Sequence, residues 1–183
     1  MINTIDRSKA ILVVMDVQER MMPAIDNADA RIDKITRLVR GCVELRVPVL
    51  VTEQYSKGLG PTVAPIREAL GEKYNPLEKM TFSAAKDLDF MQAYDASGKH
   101  HLLICGVEAH VCVYQTARDL FNLGWTVEVI GDATGSRTEQ DRRMAFIRMG
   151  RHGVDISSVE MALFDMMESA EAEEFRSVAA IIK

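Results

Sequence analysis

A chain of 183 residues, 48% hydrophobic and 27% charged, is long enough to bury a full hydrophobic core, which excludes the disordered and fibrous classes. Its 22 basic and 27 acidic residues leave a net charge of −5 without any lysine or arginine block, so the overall field does not favour a nucleic acid partner. The three cysteines, Cys42, Cys105 and Cys112, form no C-x-x-C pair, which argues against a zinc site or redox disulfide and leaves free thiols to explain.

The first residues run directly into the apolar segment Ala10–Met15, with no cleavage-site pattern and no arginine-rich leader, and no later apolar run approaches the roughly 18 residues needed to cross a bilayer. The expected location is cytoplasmic, with no membrane partner. Ala10–Met15 is continuously apolar rather than alternating, as in a parallel strand buried on both faces. Ile32, Ile35, Leu38, Val39, Cys42 and Leu45 then recur at spacings of three and four, forming one stripe of a helix opened by Asn27 or Asp29 and ended before Pro48. A second buried strand, Val49–Thr52, follows.

From Glu53 to Pro76, glycines and prolines break every period. This predicts a long irregular segment of functional or lid-like character, with one short helical piece at Ala64–Leu70. Next come a strand at Glu78–Thr81 and a helix at Lys86–Tyr94, then strand His101–Cys105, helix Val111–Leu123 and strand Thr126–Ile130. A helix at Glu139–Arg151, opened by Thr138, leads to a strand at Val154–Ser157 and a helix entered through the capping box Ser157-x-x-Glu160. A last helix is predicted at Glu171–Lys183. Six strands separated by helical segments imply right-handed βαβ units, hence one α/β domain over residues 1–183: a three-layer α/β/α sandwich on a six-stranded parallel sheet. In such sheets chemistry belongs at the carboxyl ends of the strands.

Asp16 ends the first strand, where a carboxylate is costly to bury unless it is paired or at work; a loop or capping role is the alternative. Lys79, near the third strand, says little without its neighbours. Cys112 falls in the predicted first turn of a helix, where the backbone N–H groups and the helix dipole would lower a thiol from roughly 8.5 toward neutrality. The alternative is that it serves as a small core hydrophobe, the role that Cys42 on its helix stripe and Cys105 inside a strand fit better. His110 lies two residues before Cys112, about 200° around a helix, so a Cys–His pair would require His110 to precede that helix. His100, His101 and His152 show no metal-ligand spacing. Tyr55, Phe82, Tyr114 and Trp125 are the aromatics near strand ends. Of these Tyr55 and Phe82, together with Gln18, are the expected substrate-pocket residues.

Taken together, Asp16-x-Gln18 after the first strand, Lys79 at the third, and the G-V-x-x-x-x-C-V-x-x-T segment from Gly106 to Thr116 resemble the isochorismatase-like cysteine hydrolases. The segments Thr52–Thr62 and Asp132–Arg137, the latter followed by Asp141-Arg142, are similar to the subgroup of isochorismatase domain-containing proteins. The resemblance implies a catalytic triad of Asp16, Lys79 and Cys112 and a cis peptide between Val107 and Glu108. It also implies oxyanion binding by the amides of Glu108 and Cys112, and a homo-oligomer acting on a small molecule. The zinc-dependent nicotinamidases of this family carry an Asp-x-His motif, whereas this chain has Thr52-Glu-Gln-Tyr55 and no histidine before His100. Neither a metal nor another cofactor is therefore expected. A cysteine at this position favours C–N hydrolysis of an amide, carbamoyl or imide-like compound through a thioester. The alternatives are a catalytically silent binding or thiol-sensing domain, and a vinyl-ether hydrolase of isochorismate type.

Overall fold

In a computed structural model of the protein, which describes residues 4–183, the apolar run forms strand β1 (Ala10–Met15), buried along its whole length. Its even residues, Ala10, Leu12 and Val14, enter one core cluster, and its odd residues, Ile11, Val13 and Met15, enter the other. This is what a two-residue period does to a strand covered on both faces. β2 (Val49–Gln54), β3 (Leu77–Lys79), β4 (His101–Val107), β5 (Thr126–Gly135) and β6 (Asp155–Ser157) complete a six-stranded parallel sheet in the order β3-β2-β1-β4-β5-β6.

On one face lie α1 (Ala28–Glu44), α3 (Ala64–Leu70), α7 (Val159–Met167) and α8 (Phe175–Ile182), contributing Leu38, Ile66, Leu163 and Val178 to the core. The opposite face is covered by α4 (Leu88–Ser97), α5 (Tyr114–Asn122) and α6 (Glu139–Arg151), through Phe90, Leu120 and Met149. The three-layer architecture therefore follows the strand and helix alternation of the sequence. No helix among the described residues is long and apolar enough to cross a membrane. Of the segment before β1, residues 1–3 lie outside the described residues.

Several boundaries differ from the sequence reading, each for a local reason. The segment after Glu53 is not an open loop. β2 runs on to Gln54, and α2 (Ser56–Leu59) and α3 follow, clamped by two buried polar side chains. Gln18 Nε2 donates to the carbonyls of Gln54 (3.0 Å) and Gly60 (2.7 Å), and Glu53 Oε1 accepts from Thr62 N–H (2.6 Å) and the Tyr74 hydroxyl (2.6 Å). Hydrogen bonds between residues distant in sequence are invisible to periodicity, so a lid-like reading gives way to a pinned one.

β5 continues past the predicted end at Ile130 through Gly131–Gly135, after a register shift opposite Ile104–Gly106. It stays extended because Asp132 Oδ1 accepts from Val159 N–H at 2.8 Å and its other carboxylate oxygen pairs with Lys34. β3 begins and ends earlier than predicted, at Leu77–Lys79, and α4 starts at Leu88 behind an Asp87 cap. The cap of α7 is Ser158, accepting from Met161 N–H, so the capping box expected from Ser157 is not the one used. The final helix starts at Phe175 rather than Glu171.

Gly106 is where the sheet admits no side chain. Its φ is +112°, and a Cβ there would lie 2.2 Å from the carbonyl oxygen of Met15 on the neighbouring strand. Gly106→Ala is expected to destabilise the fold by at least about 3 kcal/mol, read as a lowered urea midpoint. A variant within about 0.5 kcal/mol of the parent protein would show that β1 and β4 can move apart at this point.

Candidate active site

The strand order reverses between β1 and β4: β2 and β3 lie to one side of β1, and β5 and β6 lie beyond β4 on the other. A crevice opens at the carboxyl ends of the strands at such a switch point. Asp16 follows the last residue of β1 with φ +53°, a left-handed conformation that turns the chain sharply after the strand. Lys79 is the last residue of β3. Both side chains are almost fully buried, at 0% and 1% exposure, and Lys79 Nζ donates to Asp16 Oδ2 at 2.7 Å.

The remaining hydrogen-bonding capacity of this ion pair is met by β2, which lies between the two strands. Thr52 Oγ1 donates to Asp16 Oδ1 (2.7 Å), and Lys79 Nζ also donates to Gln54 Oε1 (2.8 Å) and to the Thr81 carbonyl (3.3 Å). Gln54 is held in that orientation by donating its own Nε2 to the Met80 carbonyl at 2.9 Å. A buried charge pair survives only with such satisfaction. Thr52 and Gln54 were not singled out in the sequence. The rule that pointed to Asp16, a polar residue closing an apolar strand, applies equally to the Thr-Glu-Gln end of β2.

Cys112 is not in the first turn of an α-helix. It lies in a π-helical turn, Ala109–Val113, which precedes α5; the carbonyl of Glu108 accepts from both Val111 N–H (3.0 Å) and Val113 N–H (3.2 Å). The peptide joining Val107 to Glu108 is cis. The thiol is not depressed toward neutrality. Burial, the largest influence, and then the negative Asp16 push it up to about 12, while Lys79 acts in the opposite direction. An expectation drawn from the helix end alone fails because Cys112 lies in a π-helical turn and its buried surroundings disfavour the charged thiolate. The Cys42 thiol, fully buried in the other core cluster, is also pushed up to about 12 by burial, and Cys105 is raised by the same cause.

The structure separates the other predicted site residues. Gln18 is fully buried, and its amide is used up by the backbone of Gln54 and Gly60, so it is a clamp rather than a pocket wall. Tyr55 and Phe82 are exposed, at 48% and 55%, on the chain segments flanking Lys79, and Tyr55 N–H donates to the Lys79 carbonyl. Tyr114 lies under the guanidinium groups of Arg118 and Arg148. Trp125 packs against Tyr94 and His100 at the amino-terminal end of β5, away from the crevice. His110 Nδ1 lies 3.1 Å from Ser136 Oγ, so its partner is a serine rather than Cys112. Among the described residues, no three His, Cys, Asp or Glu side chains come together as a metal-binding group. A groove of about 850 Å³ lies at the opposite edge of the sheet, against β6 and α7, and includes none of these residues.

A carboxylate, an ammonium and a thiol gathered at the switch point of an open parallel sheet place the protein among three-layer α/β proteins that carry their chemistry at the strand ends. The chain belongs to the isochorismatase family of hydrolases: the isochorismatase domain matches residues 10–161. It is 31% identical to the Danio rerio isochorismatase domain-containing protein 2 over 173 residues, covering 94% of this chain and 86% of that one. Among solved structures, the MAR1 ribonuclease of Caenorhabditis elegans superposes with a TM-score of 0.92 at 32% identity, covering 98% of this chain and 92% of that one. The Escherichia coli YcaC gene product, described as an octameric hydrolase of unknown specificity, shares the fold with a TM-score of 0.92 at 22% identity, covering 98% of this chain and 89% of that one.

Proposed function

We propose that the protein is a metal-independent cysteine hydrolase that cleaves a C–N bond of a small amide, carbamoyl or imide-like compound, with Cys112 as nucleophile, Asp16 as acid and base, and Lys79 as electrostatic support. The observation that carries this reading is the opposed action of the buried Asp16–Lys79 pair on the Cys112 thiol. A thiol raised to about 12 is protonated at neutral pH, so the nucleophile must be made during the reaction rather than stored.

In this reading Asp16 takes the thiol proton as sulfur attacks the carbonyl carbon, and the developing oxyanion is met by the amides of Glu108 and Cys112. Collapse of the tetrahedral adduct breaks the C–N bond. The departing nitrogen takes the proton from Asp16 and a thioester remains on Cys112. Asp16 then accepts a proton from water as the water attacks the thioester; collapse of this second adduct breaks the C–S bond, the leaving sulfur takes the proton back from Asp16, and the acid departs. Lys79 holds the Asp16 carboxylate in place through its 2.7 Å contact, while Thr52 orients the other oxygen.

The reading includes a small-molecule substrate, a cytoplasmic location and a homo-oligomer. Association is supported by the apolar side chains of Tyr55, Met80 and Phe82, exposed beside the site at 48%, 67% and 55%, and by the octameric description of a protein with the same fold. RNA hydrolysis is not carried over from the nematode relative, because a net charge of −5 without a basic block supplies no field for a polyanion.

Ammonia release across a panel of small amides, carbamates and imides tests the proposal. At least one compound should be turned over, and Cys112→Ala should lower the rate by roughly 10³-fold or more. Turnover that survives this substitution would remove Cys112 from the mechanism, and pyruvate release from an isochorismate-type substrate independent of Cys112 would favour the vinyl-ether alternative.

A further inference from the structure

The segment Asp132–Arg137 followed by Asp141-Arg142 lies outside the triad, yet two of its consecutive residues grip the turn that carries Cys112. Arg137 donates to Glu108 Oε2 from its backbone N–H (3.2 Å) and from Nε (2.9 Å), and the residue before it, Ser136, places its hydroxyl 3.1 Å from His110 Nδ1. Glu108 and His110 flank Ala109 at the start of the π turn. The Glu108 side chain is 11% exposed, so it is a nearly buried carboxylate whose charge partner is Arg137, a side chain 60% exposed.

The corner holding Ser136 and Arg137 is itself braced. Arg142 donates to the carbonyls of Gly131 (2.7 Å) and Thr134 (2.9 Å), Asp141 engages the Thr138 cap of α6, and Gly135 lies in register beside Val107. At Gly135 a Cβ would fall 2.8 Å from Ile25, so this corner sits tightly against the chain.

We infer that Arg137 is a positioning residue: by holding the Glu108 carboxylate it fixes the backbone of Glu108, and with it the turn that presents Cys112 and its amide to the developing oxyanion. The inference rests on the oxyanion role proposed above for those amides. Neither Glu108 nor Arg137 is among the groups that chiefly set the thiol, which are burial, Asp16 and Lys79. The pair therefore acts on geometry, leaving thiolate supply to the triad.

Two thiol reagents separate these effects without any need for turnover. Thiolate addition to the β-carbon of acrylamide pushes the C=C electron pair onto the carbonyl oxygen before the α-carbon takes up a proton, so it uses an oxyanion site. Displacement of iodide from iodoacetamide forms the C–S bond as the C–I bond breaks and places no charge on the carbonyl, so it reports thiolate supply alone. Both rates at Cys112 would be followed by peptide mass spectrometry at one pH.

Arg137→Ala should lower the ratio of acrylamide to iodoacetamide rates by about tenfold with the iodoacetamide rate unchanged, and added guanidinium should restore part of the ratio. Should Arg137→Ala fail to fold, Glu108→Gln must give the same fall. An unchanged ratio, or an equal fall in both rates, would overturn the assignment. If the ratio falls while the parent protein turns over no amide, the positioning role stands and the hydrolase reading fails. If amide turnover is present and neither it nor the ratio responds, the reverse holds.

Discussion

Replacing Asp16 by Asn is expected to make Cys112 react faster with iodoacetamide while turnover collapses. In the parent protein the thiol is raised to about 12 by burial first, then by the Asp16 charge, with Lys79 opposing. Removing that negative charge leaves Lys79 acting on the thiol, so the ionisation moves down, though not to an ordinary value because burial remains. A fall of one unit corresponds to about tenfold faster alkylation at pH 8. Turnover should fall by roughly 10²–10⁴-fold, the usual cost of losing a general acid and base. Asn is the suitable replacement because it tolerates the φ of +53° at this position and can still accept from Thr52.

In the parent protein, the alkylation rate should keep climbing with pH beyond 9 rather than level off near neutrality. The same shift has a stability consequence. Cys42 and Cys112, both at about 12 against an ordinary 9.0, hold their protons more tightly in the folded chain than in the unfolded one. That contribution is complete below pH 9 and is lost as the pH rises through 9 toward 12. Slower alkylation of the Asp16→Asn variant, or undiminished turnover, would contradict the proposed assignment.

Lys79→Met is expected to have the larger effect on the fold and the opposite effect on the thiol. It leaves the fully buried Asp16 carboxylate without its cation, and breaking a buried pair in this way costs about 3–5 kcal/mol. For a domain of this size each kcal/mol is worth about 2–4 °C, so the melting temperature should drop by roughly 6–20 °C. With Lys79 gone, the one influence that favours the thiolate is absent, and Cys112 alkylation at pH 8 should slow where the Asp16 variant quickens it. The double variant Asp16→Asn, Lys79→Met should recover much of the lost stability, because no buried charge remains unpaired. A single Lys79 variant melting within about 2 °C of the parent protein would show that the carboxylate finds another partner or takes up a proton.

Most of the architecture is legible in the sequence. The all-apolar run of β1, the stripe of α1 and the Thr138 cap of α6 are local signals, because burial on two faces, burial on one stripe and the geometry of helix ends each leave a short-range pattern. Where the chain is organised by long-range polar contacts, the pattern disappears. The segment after β2 shows no period because Gln18, just beyond the neighbouring strand β1, and Glu53, in β2 itself, supply the bonds that hold it. The polar end of β5, beyond the predicted boundary at Ile130, carries no strand pattern because its support comes from α1 and the start of α7.

The site divides in the same way. Position marks Asp16 at the end of an apolar strand and Cys112 at a strand–helix junction, each with a bland alternative, and says little of Lys79; it is the resemblance to the isochorismatase-like cysteine hydrolases that joins the three. The contact between Asp16 and Lys79 spans 63 residues and exists only because β2 brings β3 to the side of β1. The same strand carries Thr52 and Gln54 into the pair.

The three free thiols differ in the same way. Sequence by itself determined that no disulfide pattern joins them and that Cys112 stands at the junction of a strand and a helix. Tertiary structure decided the electrostatics. Burial beside a carboxylate holds the Cys112 thiol protonated, against the helix-end argument, because the cost of placing a charge in a dry site depends on neighbours that only the folded chain assembles.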